Sequence, residues 1–221
     1  MVWVKICGVK DLETAVKLAE LNVDALGLNF YARSPRVVSV ATAAAIAEQV
    51  GRKVELVALF VNHSVMEAVQ MCRSCGVQTV QVHGDEPPEW LARFRERLPE
   101  AKLIRAFRLG EEGFEPLARF LEACRRLDCV PDRCLVDAAV KGAYGGTGQT
   151  VSWEQVTRQY LREQWPPLVL AGGLTPENVA EAVRTVRPWG VDTASGVESA
   201  PGRKDVQRAA AFIQAARRAA G

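Results

Sequence analysis

Apolar and polar positions along this chain alternate between two periods. Short runs dense in Val, Leu, Ile and Ala are each followed by a longer stretch with apolar residues three and four apart. The first run, Val2-Trp3-Val4-Lys5-Ile6-Cys7, reads as a strand that ends where Gly8 lets the chain turn. Leu12, Ala15, Val16, Leu18 and Ala19 then make one helical face, with Asp11 as its N-cap. The alternation continues along the chain. Strands are predicted over 23–30, 53–61, 77–83, 102–107, 134–137, 167–171 and 190–193. Helices are predicted over 40–50, 64–75, 113–127, 153–160 and 205–220. Two more begin at Pro87-Pro88 and at Thr175-Pro176, where proline suits a first turn. Glycine-rich stretches at Gly142 to Gly148, Gly172-Gly173 and Ser195-Gly196 punctuate the second half.

Repeated strand–helix units imply a parallel sheet with right-handed crossovers. The 221 residues allow roughly 27 per unit for eight units, which points to one α/β domain, residues 1–221, closed as a (β/α)8 TIM barrel. A doubly wound open sheet is the alternative. Against it, no G-x-G-x-x-G follows the first strand.

Composition narrows the function. Hydrophobic residues make up 48% and charged residues 24%, enough for a sizeable core. The formal charge of +2 argues against a nucleic-acid binder. No apolar run is long enough to span a membrane, and the N-terminus lacks the pattern of a signal peptide, so a cytoplasmic protein is expected. Six cysteines without an export signal suggest reduced thiols. Cys72-Arg73-Ser74-Cys75 has no second C-x-x-C, and His63 and His83 do not complete a zinc spacing, so no metal site is expected.

In a barrel the C-terminal ends of all strands face one mouth. That rule gathers Cys7, the loop holding Arg36, His83, Arg105 and Asp137. The loops after strands seven and eight, with Gly172, Gly173, Ser195 and Gly196, suit a phosphate: glycine permits close approach and exposed N–H groups favour an anion. A thiol and a carboxylic acid at one mouth can divide proton transfer without metal or redox cofactor. The bland readings are a packed cysteine for Cys7, an N-cap or a pair with Lys141 for Asp137, and a solvated side chain for Arg36. His83 either orients a substrate or bonds a loop carbonyl.

Several segments together resemble the phosphoribosylanthranilate isomerase family. They are Lys5-Ile6-Cys7-Gly8, Ser34-Pro35-Arg36, Phe60-Val61-Asn62, Val80 to Asp85, Leu135-Val136-Asp137, Tyr144 to Gly148, Gly172 to Val179 and Val191 to Glu198. They occur in the family's order and span nearly the whole chain. The resemblance implies an intramolecular oxidoreductase of the aldose–ketose type. It would convert N-(5-phosphoribosyl)anthranilate into 1-(2-carboxyphenylamino)-1-deoxyribulose 5-phosphate in tryptophan biosynthesis, with no cofactor. It implies Asp137 as general acid, Cys7 as general base, Arg36 on the anthranilate carboxylate, and His83 and Asp192 facing the substrate. Backbone near Gly172, Gly173, Ser195 and Gly196 would hold the phosphate, and Gly145 to Gly148 would cover the site. The expected partner is a small phosphosugar, with no nucleic acid or membrane, and the chain is expected as a monomer or homodimer. Ala171, Ala194 and Gln149 depart from the family's common Ser, Ser and Lys, which bears on individual phosphate contacts.

Two other functions compete. A phosphosugar epimerase would need metal-ligand histidines, and the chain has two histidines. A non-catalytic phosphometabolite sensor would need the phosphate loops but not both Cys7 and Asp137. The role given to Cys7 also calls for a cation or helix N-terminus that brings its pKa down.

Overall fold

The computed structural model describes residues 1–110, 112–138 and 153–221. Eight parallel strands close into a barrel, each neighbour in the sheet also being the next in sequence. They are β1 (Trp3–Cys7), β2 (Ala25–Asn29), β3 (Glu55–Phe60), β4 (Thr79–Val82), β5 (Lys102–Leu109), β6 (Arg133–Ala138), β7 (Leu168–Leu170) and β8 (Gly190–Thr193). Closure comes from β1 pairing with β8, with Lys5 opposite Asp192. The helices are α1 (Leu12–Glu20), α2 (Val40–Val50), α3 (Val65–Cys75), α4 (Pro88–Arg97), α5 (Glu115–Arg126), α6 (Trp153–Gln159), α7 (Val179–Val186) and α8 (Val206–Ala219).

Local chemistry sets many of these boundaries. Asp11 caps α1 by accepting from the Thr14 amide. Ser64 and Glu67 form a capping box on α3, which ends at Gly76 in the left-handed conformation that glycine adopts without strain. Asp205 caps α8 through the amides of Gln207 and Arg208.

The period-two alternation of the strands sorts side chains between two apolar regions. One residue set, including Val4, Ile6, Leu26, Leu28, Leu103 and Val136, faces outward and packs under the helices. The other, Ala25, Val57, Ile104, Ala106, Leu135, Val169 and Ala171, with Trp3 against it, fills the barrel interior. Cys7, Leu59 and Val61 cluster at the mouth with Tyr31 and Ala194.

Three sequence expectations change. The helix after β7 begins at Val179, not at Thr175. Residues 175–178 instead form a turn in which the Asn178 side chain accepts from the Thr175 amide and donates to the Gly173 carbonyl. This Asx-type bonding competes successfully with helix at this point. Strand β5 runs on to Leu109, which brings Arg108 to the mouth and leaves Arg105 on the outer face, 4.9 Å from the Phe120 ring centroid. An antiparallel hairpin, β9 (Glu198–Ala200) and β10 (Arg203–Lys204), follows β8 where the sequence suggested only a loop.

Candidate active site

Cys7 is the last residue of β1, and alternation points Trp3, Lys5 and Cys7 toward the barrel axis. Opposite Cys7 stands Gly27 of β2. A Cβ at Gly27 would lie 2.7 Å from the Cys7 Sγ, so glycine makes room for the thiol. Below it, Lys5 Nζ donates to Asp192 Oδ1 at 2.7 Å. Lys5 is fully buried. Burial works against its charge, but Asp192 and Cys7 outweigh that and hold its pKa above the ordinary value. The Cys7 thiol has the opposite balance. Burial pushes it up, the ammonium groups of Lys5 and Lys204 pull it down, and the net direction is up. Cations do flank the thiol, as expected, yet desolvation exceeds their effect. The expectation of a lowered thiol pKa is therefore corrected.

Arg36 reaches the site from the β2–α2 loop, its aliphatic stem lying over Gly8. Its Nε and Nη2 donate to the two oxygens of Glu198, each at 2.7 Å. Lys204 donates to the same carboxylate at 2.7 Å and to the Ala194 carbonyl at 2.9 Å. Glu198 is thus a shared anchor. Burial raises its pKa, but its bonds to Arg36 and Lys204 prevail and hold it below the ordinary value. Arg36 is no solvated surface arginine. One edge of its fork is fixed by Glu198, which leaves the Nη1 side for another group.

His83 follows β4. Its Nε2 lies 3.5 Å from Asp137 Oδ2 at the end of β6, and its Nδ1 lies 3.4 Å from the Gln81 amide nitrogen. Burial, with Arg108, Lys5 and Arg105 nearby, pushes the imidazole pKa down to about 3. His83 is therefore neutral at physiological pH, and its approach to Asp137 is that of a neutral ring to a carboxyl group. No hydrogen bond satisfies His83 Nε2 or Gln81 Oε1 among the described residues. Arg108 donates to the His83 carbonyl and braces the strand end from β5.

The two glycine loops meet beside Asp137. Gly172 and Gly173 have φ of +88° and +68°, conformations that favour glycine. Their N–H groups donate to no backbone or side-chain acceptor among the described residues. Thr193 Oγ1 donates to the Leu174 carbonyl at 2.7 Å, tying the loop after β8 to the loop after β7. A Cβ at Gly196 would collide with that same carbonyl. The result is a narrow pocket lined by Asp137, Gly172, Gly173, Asp192 and Ser195, among others. A larger cavity of about 290 Å³ opens at the opposite end, near Gly51, Val77 and Glu100, away from every strand C-terminus. The mouth is the better site, because it gathers buried charged groups such as Lys5, Asp137 and Asp192 at the strand C-termini.

The structure thus brings Cys7, Asp137, His83, Asp192, Gly172, Gly173 and Ser195 to one end of the barrel, with Arg36 and Gly196 at its edge. Lys141, Gln149 and the loop Gly142 to Gly148 lie outside the described residues. Lys5, Gln81 and Glu198 lie in segments that carry the family resemblance but were given no role, and Arg108 and Lys204 were not singled out. Lys5 did carry a signal: it is polar at an inward position of an otherwise apolar strand.

Residues 4–215 match the family model for N-(5'-phosphoribosyl)anthranilate (PRA) isomerase. A relative from Trichlorobacter lovleyi named N-(5'-phosphoribosyl)anthranilate isomerase is 41% identical over 219 residues, covering 99% of this chain and all of that protein. The chain belongs to the phosphoribosylanthranilate isomerase family. Among solved structures, the phosphoribosylanthranilate isomerase from Thermotoga maritima superimposes with a TM-score of 0.86 at 35% identity, covering 98% of this chain and 99% of that one. A second isomerase structure, with a TM-score of 0.81 at 33% identity, covers 98% of this chain and 99% of its own. It holds reduced 1-(o-carboxyphenylamino)-1-deoxyribulose 5-phosphate. The activity is accordingly the isomerisation of phosphoribosylanthranilate in tryptophan biosynthesis.

Proposed function

We propose that this barrel, residues 1–221 acting as one catalytic domain, performs an Amadori rearrangement with Asp137 as general acid and Cys7 as general base. Asp137 gives its proton to the furanose ring oxygen. The bond from that oxygen to C1 breaks as the anthranilate nitrogen's lone pair forms a protonated Schiff base. Cys7, as thiolate, takes the proton from C2, and the C–H electron pair forms the enolamine, with the imine electrons returning to nitrogen. Transfer of the C2 hydroxyl proton and protonation of C1 then give the ketone product. No metal or redox cofactor enters the scheme.

The observation that carries this reading is the placement of Asp137 in the same pocket as the free amides of Gly172 and Gly173. A phosphate held there, with Gly196 and Ser195 supplying the second loop, fixes one end of the sugar against the acid. Cys7 stands at the mouth beside Ala194, next to the same loop. Arg36, held on one edge by Glu198, offers its remaining edge to the anthranilate carboxylate. His83 and Asp192 face the sugar between these ends. His83, neutral and with Nε2 unsatisfied, suits a hydroxyl partner.

The test is turnover followed by loss of anthranilate fluorescence. Cys7→Ala and Asp137→Asn each lower turnover by about 10²–10⁴-fold while thermal unfolding stays unchanged. A near-normal rate in either variant removes that residue from the role given to it.

A further inference from the structure

We propose that Lys5 is the positioning residue for the catalytic thiolate: an ammonium pinned by Asp192 that Cys7 uses as its counter-ion. This rests on the reading of Cys7 as the base at C2 and deepens it.

The geometry begins with strand alternation. Lys5 and Cys7 are two residues apart on β1, so both point to the axis. The parallel register sets Lys5 against Asp192 of β8, and the two side chains meet at 2.7 Å. That bond limits where the ammonium can go. Lys5 is fully buried, so water cannot complete its coordination as it does for a surface lysine. Two residues along the same inner wall, the ammonium is electrostatically coupled to the Cys7 sulfur. On the other side of the thiol, Gly27 keeps the space clear.

The other charged groups facing Cys7 are Asp192 from β8, Lys204 from β10 and Arg36 from the β2–α2 loop. Arg36 and Lys204 are both bonded to Glu198, so much of their charge is answered there. Lys5 shares the inner wall of β1 with the thiol. When Cys7 is a thiolate, Lys5 stands between two anions. When Cys7 takes the C2 proton and becomes a thiol, Lys5 remains paired with Asp192. The ammonium keeps its proton throughout, so it steadies the base without consuming one.

Two readouts test this in the full-length protein. The first is the pH dependence of Cys7 alkylation by iodoacetamide, followed on the Cys7 peptide by mass spectrometry and without substrate. The second is the pH dependence of kcat/KM. Lys5→Met is expected to move both midpoints up by about one unit and to slow alkylation about tenfold near pH 8. Lys5→Met also strands the Asp192 carboxylate, which threatens folding. The alkylation comparison is therefore repeated between Asp192→Asn and Lys5→Met/Asp192→Asn, where the second change removes only a cation. The same upward shift is expected there. Coincident alkylation profiles in that background overturn the proposal. An undiminished rate in Cys7→Ala would instead overturn the base assignment, while the alkylation profiles would still report the hold of Lys5 on the thiol.

Discussion

The two ends of this barrel use the same kinds of side chain to opposite ends. At the N-terminal face, Glu55 accepts from Trp3 Nε1 at 3.2 Å, Thr79 Oγ1 at 2.8 Å and Arg133 Nη1 at 3.0 Å. The Arg133 guanidinium lies 4.8 Å from the Trp3 ring centroid and 4.4 Å from that of Trp189. The carboxylate is surrounded by donors and the cation is covered by rings, so the cluster is closed. At the C-terminal face, Lys5 and Asp192 pair, but His83 and Gln81 beside them are left incomplete. Among the described residues, His83 Nε2 and Gln81 Oε1 lack hydrogen bonds and the Gly172 and Gly173 amides have no acceptor. Buried polar groups left without partners cost stability unless something else completes them. The closed end holds the barrel together; in the proposed mechanism the open end keeps its unsatisfied groups for substrate.

Substitutions at the two ends therefore separate activity from stability. The largest effect belongs to the open end. Cys7→Ala and Asp137→Asn lose about 10²–10⁴-fold in kcat, the range typical of acid–base groups, with unchanged denaturant midpoints. At the closed end, Arg133→Met removes one partner of a largely buried pair. It costs about 2–3 kcal/mol in urea unfolding while kcat stays within a few-fold of the original. An equal loss of activity there would break the contrast.

Gly27→Ala sharpens it. Its Cβ would sit 2.7 Å from the Cys7 sulfur and 3.0 Å from the Cys7 Cα, so kcat drops about tenfold or more, with the larger part of the effect in kcat rather than KM. The pH dependence follows from the burial of the open end. The Cys7 thiol is raised above its ordinary 9.0, and in the proposed mechanism only the thiolate accepts the C2 proton. The rise of kcat/KM with pH is therefore still incomplete near pH 9. His83 has the reverse displacement, from 6.5 down to about 3. Between those values the unfolded chain binds a proton that the folded chain does not, so this residue makes stability fall as pH drops through that window. His83→Asn flattens that part of the stability profile. The smallest effect is Trp189→Leu, which uncovers one face of Arg133 and costs about 0.5–1 kcal/mol in thermal unfolding.

What the sequence determined by itself is the alternation of strand and helix. Apolar period, caps such as Asp11 and Ser64, and breaking glycines are local signals, read within a few neighbours. The rule that strand ends share a mouth then brought together Cys7, His83 and Asp137 with the two glycine loops. Arg105 shows where local reading stopped. A strand end uncertain by a few residues reverses which side chain faces the axis, and β5 presents Arg108 instead. Only the tertiary structure decided the charge pairing. Lys5 meets Asp192 across 187 residues of sequence, and Arg36 meets Glu198 across 162. Closure of β1 on β8 makes the first of these contacts, and the β9–β10 hairpin carries Glu198 and Lys204 for the second. Burial, too, exists only once the barrel has closed. The same desolvation raises the thiol and neutralises the imidazole.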